Sequence, residues 1–291
     1  MSSIFKSIRT RIEGLHDGDS HHSSIAPPIH NGPYRELNDT KHLLRQSHST
    51  PANRPKKPMT LIELFQSQGC NSCPPTNSNL ISLAQDQEHN PDPGNDYLLL
   101  TYHVTYWDYL GWADVFGLSA NDARQREYVR KLGLESAYTP MVVVNGLGVG
   151  VGNTRADLQR VLSEGQKKAD QRVKISVVQQ TGNGGVVVEV DTSTLSMPKL
   201  PTSSNASALE VLHVRYLPAL HSVRIDRGEN AGRILPHVNV VTGVEKMGYV
   251  AGNERTRFNV GRRGEARENE ASVLIVQDGR GGEVLGVLRL V

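Results

Sequence analysis

The spacing of apolar residues changes about 170 residues into the chain. Before that point, short apolar runs typical of buried strands alternate with stretches of helical spacing. The runs at 60–65, 97–104 and 141–144 predict strands. The stretch at 119–132 predicts a helix that ends before Gly133. Strands that alternate with helices predict a layered α/β sheet.

Two further helices and a hairpin complete this part of the chain. An apolar face at 80–84 predicts a helix after the first strand. Asn145-Gly146 lies between two apolar runs and predicts a two-residue hairpin, which adds an antiparallel edge to the sheet. The last helix of this part begins after a cap at Asn153 or Thr154.

From residue 172 onward, apolar and polar residues alternate and glycine-rich turns separate the runs. The strand candidates are 173–177, 186–190, 209–216, 221–225, 237–241, 272–276 and 284–291. A series of short alternating strands predicts an all-β, sandwich-like domain. We therefore divide this part of the sequence into an α/β domain at 59–170 and an all-β domain at 171–291.

Residues 1–58 show no sustained apolar period and predict a disordered polar tail. They contain six of the eleven histidines, which suggests adventitious metal binding as one interpretation. Prolines and polar residues separate the histidines, and this favours a solvated linker. The weakly basic start is followed by Glu13, Asp17 and Asp19, and mitochondrial presequences avoid acidic residues. We expect a cytoplasmic protein, with the mitochondrion as the alternative.

Charge and hydropathy exclude two classes of partner. The formal net charge of +2 over 291 residues gives no electrostatic reason to bind nucleic acid. No stretch approaches the roughly 18–20 apolar residues that a membrane-spanning helix needs. We therefore expect neither nucleic acid nor a membrane as a partner.

The candidate chemistry lies at the two cysteines of the chain, Cys70 and Cys73. A disulfide framework uses more cysteines at longer spacings, and a structural zinc site needs two further ligands. A redox pair, part of a metal site, or two inert thiols remain. In a redox pair placed between a strand and a helix, Cys70 attacks as the thiolate and Cys73 resolves the mixed disulfide.

Two prolines place the start of the helix after the first strand. Pro74 and Pro75 fit only in a first helical turn, which makes Ser72 the N-cap and leaves Cys70 just before the helix. The helix dipole then stabilises the Cys70 thiolate less than it would in a helix that begins at this cysteine. We expect an active thiol, but not one with a very low pKa.

Thr139-Pro140 precedes the third strand at the head of the hairpin. In thioredoxin-like folds this position holds a cis-proline that faces the disulfide, and its backbone presents edge groups to a docking peptide. The alternative is that Pro140 only begins a strand. The surrounding pattern favours the first interpretation, so Thr139 and Pro140 become candidate site residues.

Four stretches carry a resemblance to one family: ELFQSQGCNSCPP at 63–75, HVTYWDYLGW at 103–112, YTPMVVVNG at 138–146 and GENAGR at 228–233. The chain resembles a family of uncharacterised thioredoxin-like proteins, often secreted in bacteria and also found in fungi. The resemblance implies an α/β thioredoxin-like domain followed by a β-rich domain. It implies no established substrate.

Two polar residues on the predicted strands are further candidates. Glu63 would be buried, where an unpaired carboxylate is costly, so it either exchanges a proton with Cys73 or forms a salt bridge with Arg124 or Arg126. His103 has three possible functions: it tunes the thiols, completes a Cu(I) site with both of them, or is a hydrogen-bonded, half-buried histidine.

Aromatic and loop residues complete the list of candidates. Trp107, Tyr109 and Trp112 form either an apolar substrate-binding wall beside the disulfide or packing between the two domains. The polar segment 227–233, which precedes His237, either lines a pocket that faces the first cysteine or forms a capped turn.

The leading functional prediction is a thiol–disulfide oxidoreductase that needs no cofactor besides its redox-active Cys70–Cys73 disulfide. Its partner would be a protein or small-molecule thiol or disulfide. One alternative is a copper-handling protein that uses the two thiols with His103. The other is a non-enzymatic binding module with idle thiols.

Overall fold

The structure is a computed structural model that describes residues 58–89, 96–168, 173–182, 184–195, 208–261 and 269–290. All but the last residue of the predicted polar tail lies outside these ranges. The helices are α1 (Cys73–His89), α2 (Ser119–Lys131) and α3 (Arg155–Lys168), with a 3-10 turn at Asp108–Leu110. None of the helices in the described ranges has both the length and the apolar character to cross a membrane.

The strands of the described residues form three sheets. They are β1 (Thr60–Gln66), β2 (Tyr97–His103), β3 (Met141–Val144), β4 (Gly148–Gly150), β5 (Lys174–Gln180), β6 (Val186–Asp191), β7 (Leu209–Leu217), β8 (His221–Arg224), β9 (Ile234–His237), β10 (Val240–Val250), β11 (Arg255–Val260), β12 (Ala271–Asp278) and β13 (Val284–Leu290). The largest sheet has the order β13-β12-β7-β10-β2-β1-β3-β4. A three-stranded sheet has the order β11-β6-β5, and β8 pairs with β9.

The predicted fold class is wrong. An α/β thioredoxin-like domain followed by a separate all-β domain would keep the two sets of strands in different sheets. Instead β10 pairs with β2 at Val240 and Thr101, and the strands form one large mixed sheet in a mostly β protein. Thr101 N donates to Asn239 O over 2.9 Å, and Thr101 Oγ1 donates to Val238 O over 2.8 Å. Strands from the second half of the chain therefore fill the edge of β2 that the first half leaves open.

The apolar core confirms that the two halves pack as one body. One cluster joins Phe65, Tyr102 and Tyr128 of the first half to Val214 and Ile275 of the second. Strands β7 and β12 have long runs of buried residues instead of the alternation of a sandwich strand, because both of their faces are covered. Burial on both faces is typical of a central strand in a layered sheet.

The two faces of the sheet around β1 carry different helices. Ile62 and Leu64 pack in one cluster with Leu80 of α1 and Leu158 of α3. The alternate residues of β1, Leu61 and Phe65 among them, point the other way, toward the cluster that contains Tyr128 of α2. Side chains on the face of α1 and on the face of α2 are therefore separated by the sheet itself.

Local signals in the sequence predict several elements correctly. β1, β2 and α2 agree with the predicted ranges to within one residue at each end. Asn145 and Gly146 form the predicted turn between β3 and β4, with left-handed φ of 50° and 69°, but Val144 pairs with Gly148, so the loop has three residues instead of two. Thr154 is the cap of α3, since its Oγ1 accepts a hydrogen bond from Asp157 N over 3.1 Å.

Candidate functional site

The two cysteines lie where β1 passes into α1. The helix begins at Cys73, so Ser72 directly precedes it, as the two prolines of the first turn predict. Backbone hydrogen bonds tighten the loop: Cys70 N donates to Ser67 O over 3.1 Å, and Cys73 N donates to Cys70 O over 3.3 Å. Both cysteines are free thiols, Cys70 5% exposed and Cys73 2% exposed.

Two polar groups lie close to the sulfur of Cys70, a hydroxyl that can donate to it and a carbonyl that can only accept. Ser72 Oγ lies 3.2 Å from Cys70 Sγ, and Thr139 O lies 3.6 Å from the same atom. A hydrogen bond from Cys73 lowers the pKa of Cys70 to about 5, against burial, and hydrogen bonds from Ser72 and Thr139 add to the effect. The carbonyl of Thr139 can accept only from the thiol, so the thiolate depends on the donors at Cys73, at Ser72 and at the Thr139 hydroxyl.

Cys73 has the opposite electrostatic environment. Burial raises the pKa of Cys73 well above its usual value, and its hydrogen bond to Cys70 and the negative charge there raise it further. The pair therefore holds one thiolate and one thiol near neutral pH. The pKa of Cys70, about 5, is lower than the position of the prolines led us to expect, because hydrogen bonds from Cys73, from Ser72 and from Thr139 lower it. Sequence reasoning considered only the helix and missed this cause.

Thr139 and Pro140 lie beside Cys70, and the peptide bond between them is cis. Trp107 Nε1 donates to Thr139 Oγ1 over 2.7 Å. Because this hydroxyl accepts from the indole, its own hydrogen is free to donate to the neighbouring sulfur. Trp107 is half-buried against the core, and its hydrogen bond helps to hold Thr139 in place beside Cys70.

Replacing Ser72 with alanine should raise the pKa of Cys70, because the thiolate loses one donor. A charge-assisted hydrogen bond of about 1.4 kcal/mol corresponds to an approximately fivefold slower alkylation of Cys70 at pH 5. Iodoacetamide labelling followed by peptide mass spectrometry measures this rate. Asn71→Ala, at the exposed neighbouring position, serves as the control and should leave the rate unchanged. An unchanged rate in Ser72→Ala would contradict the assigned hydrogen bond.

Glu63 lies on the face of β1 that packs against α2, away from α1 and its cysteines. Its Oε1 accepts from Arg124 Nε over 2.7 Å, and its Oε2 accepts from Tyr128 OH. All three side chains are almost fully buried. Of the two open interpretations, the structure contains the salt bridge with Arg124, whereas Arg126 pairs with Asp122 at 3.6 Å.

His103 ends β2 and is fully buried. Its Nδ1 lies 2.7 Å from Asp114 Oδ2, and its Nε2 lies 3.4 Å from Gln66 Nε2. The carboxylate of Asp114 can only accept, so Nδ1 is the donor of this hydrogen bond. Although burial acts to raise it, the pKa of Asp114 is lowered by His103 and by the backbone N–H groups of Gln68 and Phe116.

His237 joins the same buried cluster from the second half of the chain. Its ring lies 4.6 Å from that of His103, centroid to centroid. Gln66 Nε2 lies 3.3 Å from its Nδ1, and Gln68 Nε2 lies 3.4 Å from its Nε2. Burial, together with the nearby His103, lowers the pKa of His237 to about 3, so the ring stays neutral.

The loop at 227–233 also reaches the site. Asn230 Nδ2 donates to Gln68 O over 2.8 Å and to Cys70 O over 3.0 Å. Trp112 Nε1 donates to Gln68 Oε1 over 2.9 Å, so this half-buried tryptophan positions a loop residue. Tyr109 remains 76% exposed. The predicted use of Trp107, Trp112 and Thr139 in substrate binding stays a prediction.

The described residues contain no group of three or more His, Cys, Asp or Glu side chains that could hold a metal ion. His103 bonds to Asp114 and Gln66 within the buried cluster rather than to either thiol. The predicted copper site of Cys70, Cys73 and His103 therefore stays a prediction without a ligand cluster in the described ranges to support it.

A family model described as Protein of unknown function (DUF1223) matches residues 61–277, which is most of the chain. The chain belongs to this family. The predicted resemblance to a family of uncharacterised proteins is confirmed at this level, and the thioredoxin-like character of DUF1223 stays a prediction. No curated protein matches the sequence.

Two solved structures are similar to this DUF1223 protein. An X-ray crystal structure of a protein from Agrobacterium tumefaciens has a TM-score of 0.58 and 23% identity, and the match covers 81% of this chain and 96% of the other. HBP35 of Porphyromonas gingivalis has a TM-score of 0.47 and 9% identity over 82% of this chain and 76% of its own. At 23% identity the first structure supports the fold alone.

The site of this DUF1223 protein includes residues that sequence reasoning did not single out. Four of them are polar, buried and close to the cysteine loop, and the fifth, Ser72, is exposed on that loop: Gln66, Gln68, Asp114, Asn230 and Ser72. The signal that could have found the two glutamines is their position at the end of an otherwise apolar strand. The signal for Asn230 is the polar segment 227–233, although the sequence does not distinguish this residue from its polar neighbours.

Proposed function

We propose that this protein is a thiol–disulfide oxidoreductase in which Cys70 attacks and Cys73 resolves. The observation that carries the proposal is the arrangement of two free thiols at the start of α1 in unlike environments. Hydrogen bonds lower the pKa of Cys70, whereas burial raises the pKa of Cys73. Dithiol–disulfide exchange requires a thiolate that attacks and a neighbouring thiol that resolves the mixed disulfide.

The location of the pair supports the same proposal. A strand leads into the Cys-x-x-Cys loop and a helix follows, while the cis Thr139–Pro140 bond lies beside Cys70. These features resemble the redox sites of thioredoxin-like proteins. Cys70 is 5% exposed, but Asn71 and Ser72 are exposed and Thr139 is half-buried, so a substrate sulfur would approach from this side.

The exchange proceeds in two balanced steps. The Cys70 thiolate attacks one sulfur of a substrate disulfide, forms a mixed disulfide and releases the other substrate sulfur as a thiolate. Cys73 then loses its proton to solvent or to the leaving thiolate and attacks the Cys70 sulfur, which releases the second substrate thiol. The substrate gains two electrons and the protein becomes the Cys70–Cys73 disulfide. An external dithiol is needed to restore the reduced protein, and the reverse sequence oxidises a substrate dithiol.

The proposal is tested by equilibrating the purified protein with glutathione redox buffers and counting free thiols by mass spectrometry. We expect one reversible two-electron couple, which Cys70→Ser and Cys73→Ser both abolish. With a small aromatic disulfide as the probe, Cys73→Ser should accumulate a mixed disulfide at Cys70, whereas Cys70→Ser should react slower by on the order of 10³-fold.

Two results would overturn the proposal. One is a wild-type protein whose thiols never form an intramolecular disulfide across the range of buffers, which would favour a binding module with idle thiols. The other is a mixed disulfide that forms on Cys73 in preference to Cys70. Tight stoichiometric Cu(I) binding that is lost in His103→Ala would instead favour the metal-handling alternative.

A further inference from the structure

Asn230 reaches the cysteine loop from the opposite half of the chain. It lies in the loop between β8 and β9, is 1% exposed, and directs one amide nitrogen at two backbone carbonyls. These are the carbonyls of Gln68, at 2.8 Å, and of Cys70, at 3.0 Å. A single side chain therefore bonds to the backbone on both sides of Gly69, directly before the nucleophile.

The orientation of this amide is determined by its own surroundings. Arg233 Nη1 donates to Asn230 Oδ1 over 3.0 Å, which assigns the other amide atom as the nitrogen. The loop that carries Asn230 is closed by backbone hydrogen bonds from Ala231 N to Gly228 O and from Gly232 N to Ile225 O. The same loop lies close against the 3-10 turn: a Cβ atom added at Gly228 would lie only 3.0 Å from Leu110 O. The donor is thus held in place from several directions.

The cysteine loop needs a donor at this point. Asn230 supplies the side-chain donor to the carbonyl of Gln68 and a second donor to the carbonyl of Cys70, which also accepts from Cys73 N. With the carbonyls held there, Cys70 N bonds to Ser67 O and the sulfur reaches Ser72 Oγ and Thr139 O. If the carbonyls lost this donor, the loop would turn them toward other partners, and the sulfur would move with the backbone.

We propose that Asn230 is a positioning residue that holds the Gln68–Cys70 backbone in the conformation from which Cys70 reacts. The inference rests on the proposed function for its biological meaning. Its action on Cys70 can nevertheless be measured with a simple alkylating agent, whether or not the protein exchanges disulfides. Asn230 touches no reacting atom, so it acts through the loop and not as a catalytic residue.

The experiment compares iodoacetamide alkylation of Cys70 between pH 4 and pH 9 in the full reduced chain, with the site assigned by peptide mass spectrometry. Asn230→Ala removes the donor and should slow alkylation at pH 5 by about threefold. Asn230→Asp has nearly the same shape but places a carboxylate against two carbonyls, and it should slow alkylation by about tenfold or more. A side chain that only fills space predicts the reverse order, with Asp closer to the wild type than Ala.

Surface variants keep the test valid if the buried substitutions unfold the protein. Arg233→Met removes the donor that orients the Asn230 amide and should slow alkylation at pH 5 by about twofold, whereas Arg233→Lys retains a donor and should restore the rate. Glu229→Gln, exposed on the same loop, is the matched control and should have no effect. Equal alkylation profiles in folded wild type, Asn230→Ala and Asn230→Asp, or in the Arg233 pair, would overturn the proposal. An absent disulfide couple in the wild type would overturn the proposed function alone.

Discussion

Replacing Arg124 with methionine is expected to lower the free energy of unfolding by about 3–5 kcal/mol. Arg124 is 2% exposed, and its guanidinium bonds to Glu63 at 2.7 Å and to Gln277 Oε1 at 3.4 Å. Without it, the Glu63 carboxylate keeps its donor from Tyr128 but loses its counter-charge in a site closed to water. Leaving one buried charge unpaired costs far more than breaking a surface pair.

Urea denaturation of the reduced protein measures this loss, and Arg126→Met is the matched control. Arg126 lies on the same helix, is 55% exposed and pairs with Asp122 over 3.6 Å, so its replacement should cost less than about 1 kcal/mol. The double variant Glu63→Gln, Arg124→Met should recover about 1–2 kcal/mol, because no charge is left unpaired. Equal losses in the Arg124 and Arg126 variants would show that the buried ion pair is not the cause.

The reduced wild-type protein should gain stability as the pH rises from about 5 to about 8.5. The folded pKa of Cys70 is about 5, whereas the thiol of the unfolded chain titrates near 8.5. The stabilisation is therefore complete above the unfolded pKa and is lost as the pH falls through 5, with a span of about 4–5 kcal/mol. Cys73 opposes this gain only toward the upper end of the window, where the unfolded thiol begins to ionise while burial keeps the folded thiol protonated.

Thermal unfolding of the wild type against Cys70→Ser, at pH values from 4.5 to 9, checks this dependence, because the variant lacks it.

The same thiolate stabilises the reduced form over the disulfide, so we expect a reduction potential above about −200 mV, toward the oxidising end for Cys-x-x-Cys proteins. Glutathione equilibration at pH 7 measures the potential. Alkylation of Cys70 that begins to rise only above pH 7, or a potential near −270 mV, would contradict both expectations.

Local structure was predictable wherever the decisive interactions are local. The Asn145–Gly146 turn, a cap at Asn153 or Thr154 and the helix start after Ser72 depend on residues a few positions apart, and the sequence indicates all three. The joining of the halves was not predictable. The pairing of Thr101 with Val240 joins strands that are far apart in the sequence. The alternation of apolar and polar residues predicts that each segment is a strand, but it does not say which strand is its neighbour in the sheet.

The candidate site shows the same division. The sequence predicts the cysteine pair and the neighbouring Thr139–Pro140, because both belong to compact motifs. The cause of the low pKa of Cys70 and the contact from Asn230 arise only in the folded chain. The sequence leaves several roles open for Glu63 and for His103. Their partners, Arg124 of α2 and Asp114 of the segment before it, show what each side chain contacts in the folded chain.

The junction between β2 and β10 has a consequence for synthesis on the ribosome. Strand β2 is made early, yet one of its edges is filled only when the chain has been extended past Val240. Until then an apolar strand with unpaired backbone groups stays open to other chains, including neighbouring copies of this protein. Nascent chains that stop between β4 and β10 should therefore depend on chaperones, and the native core should form only after the second half has emerged.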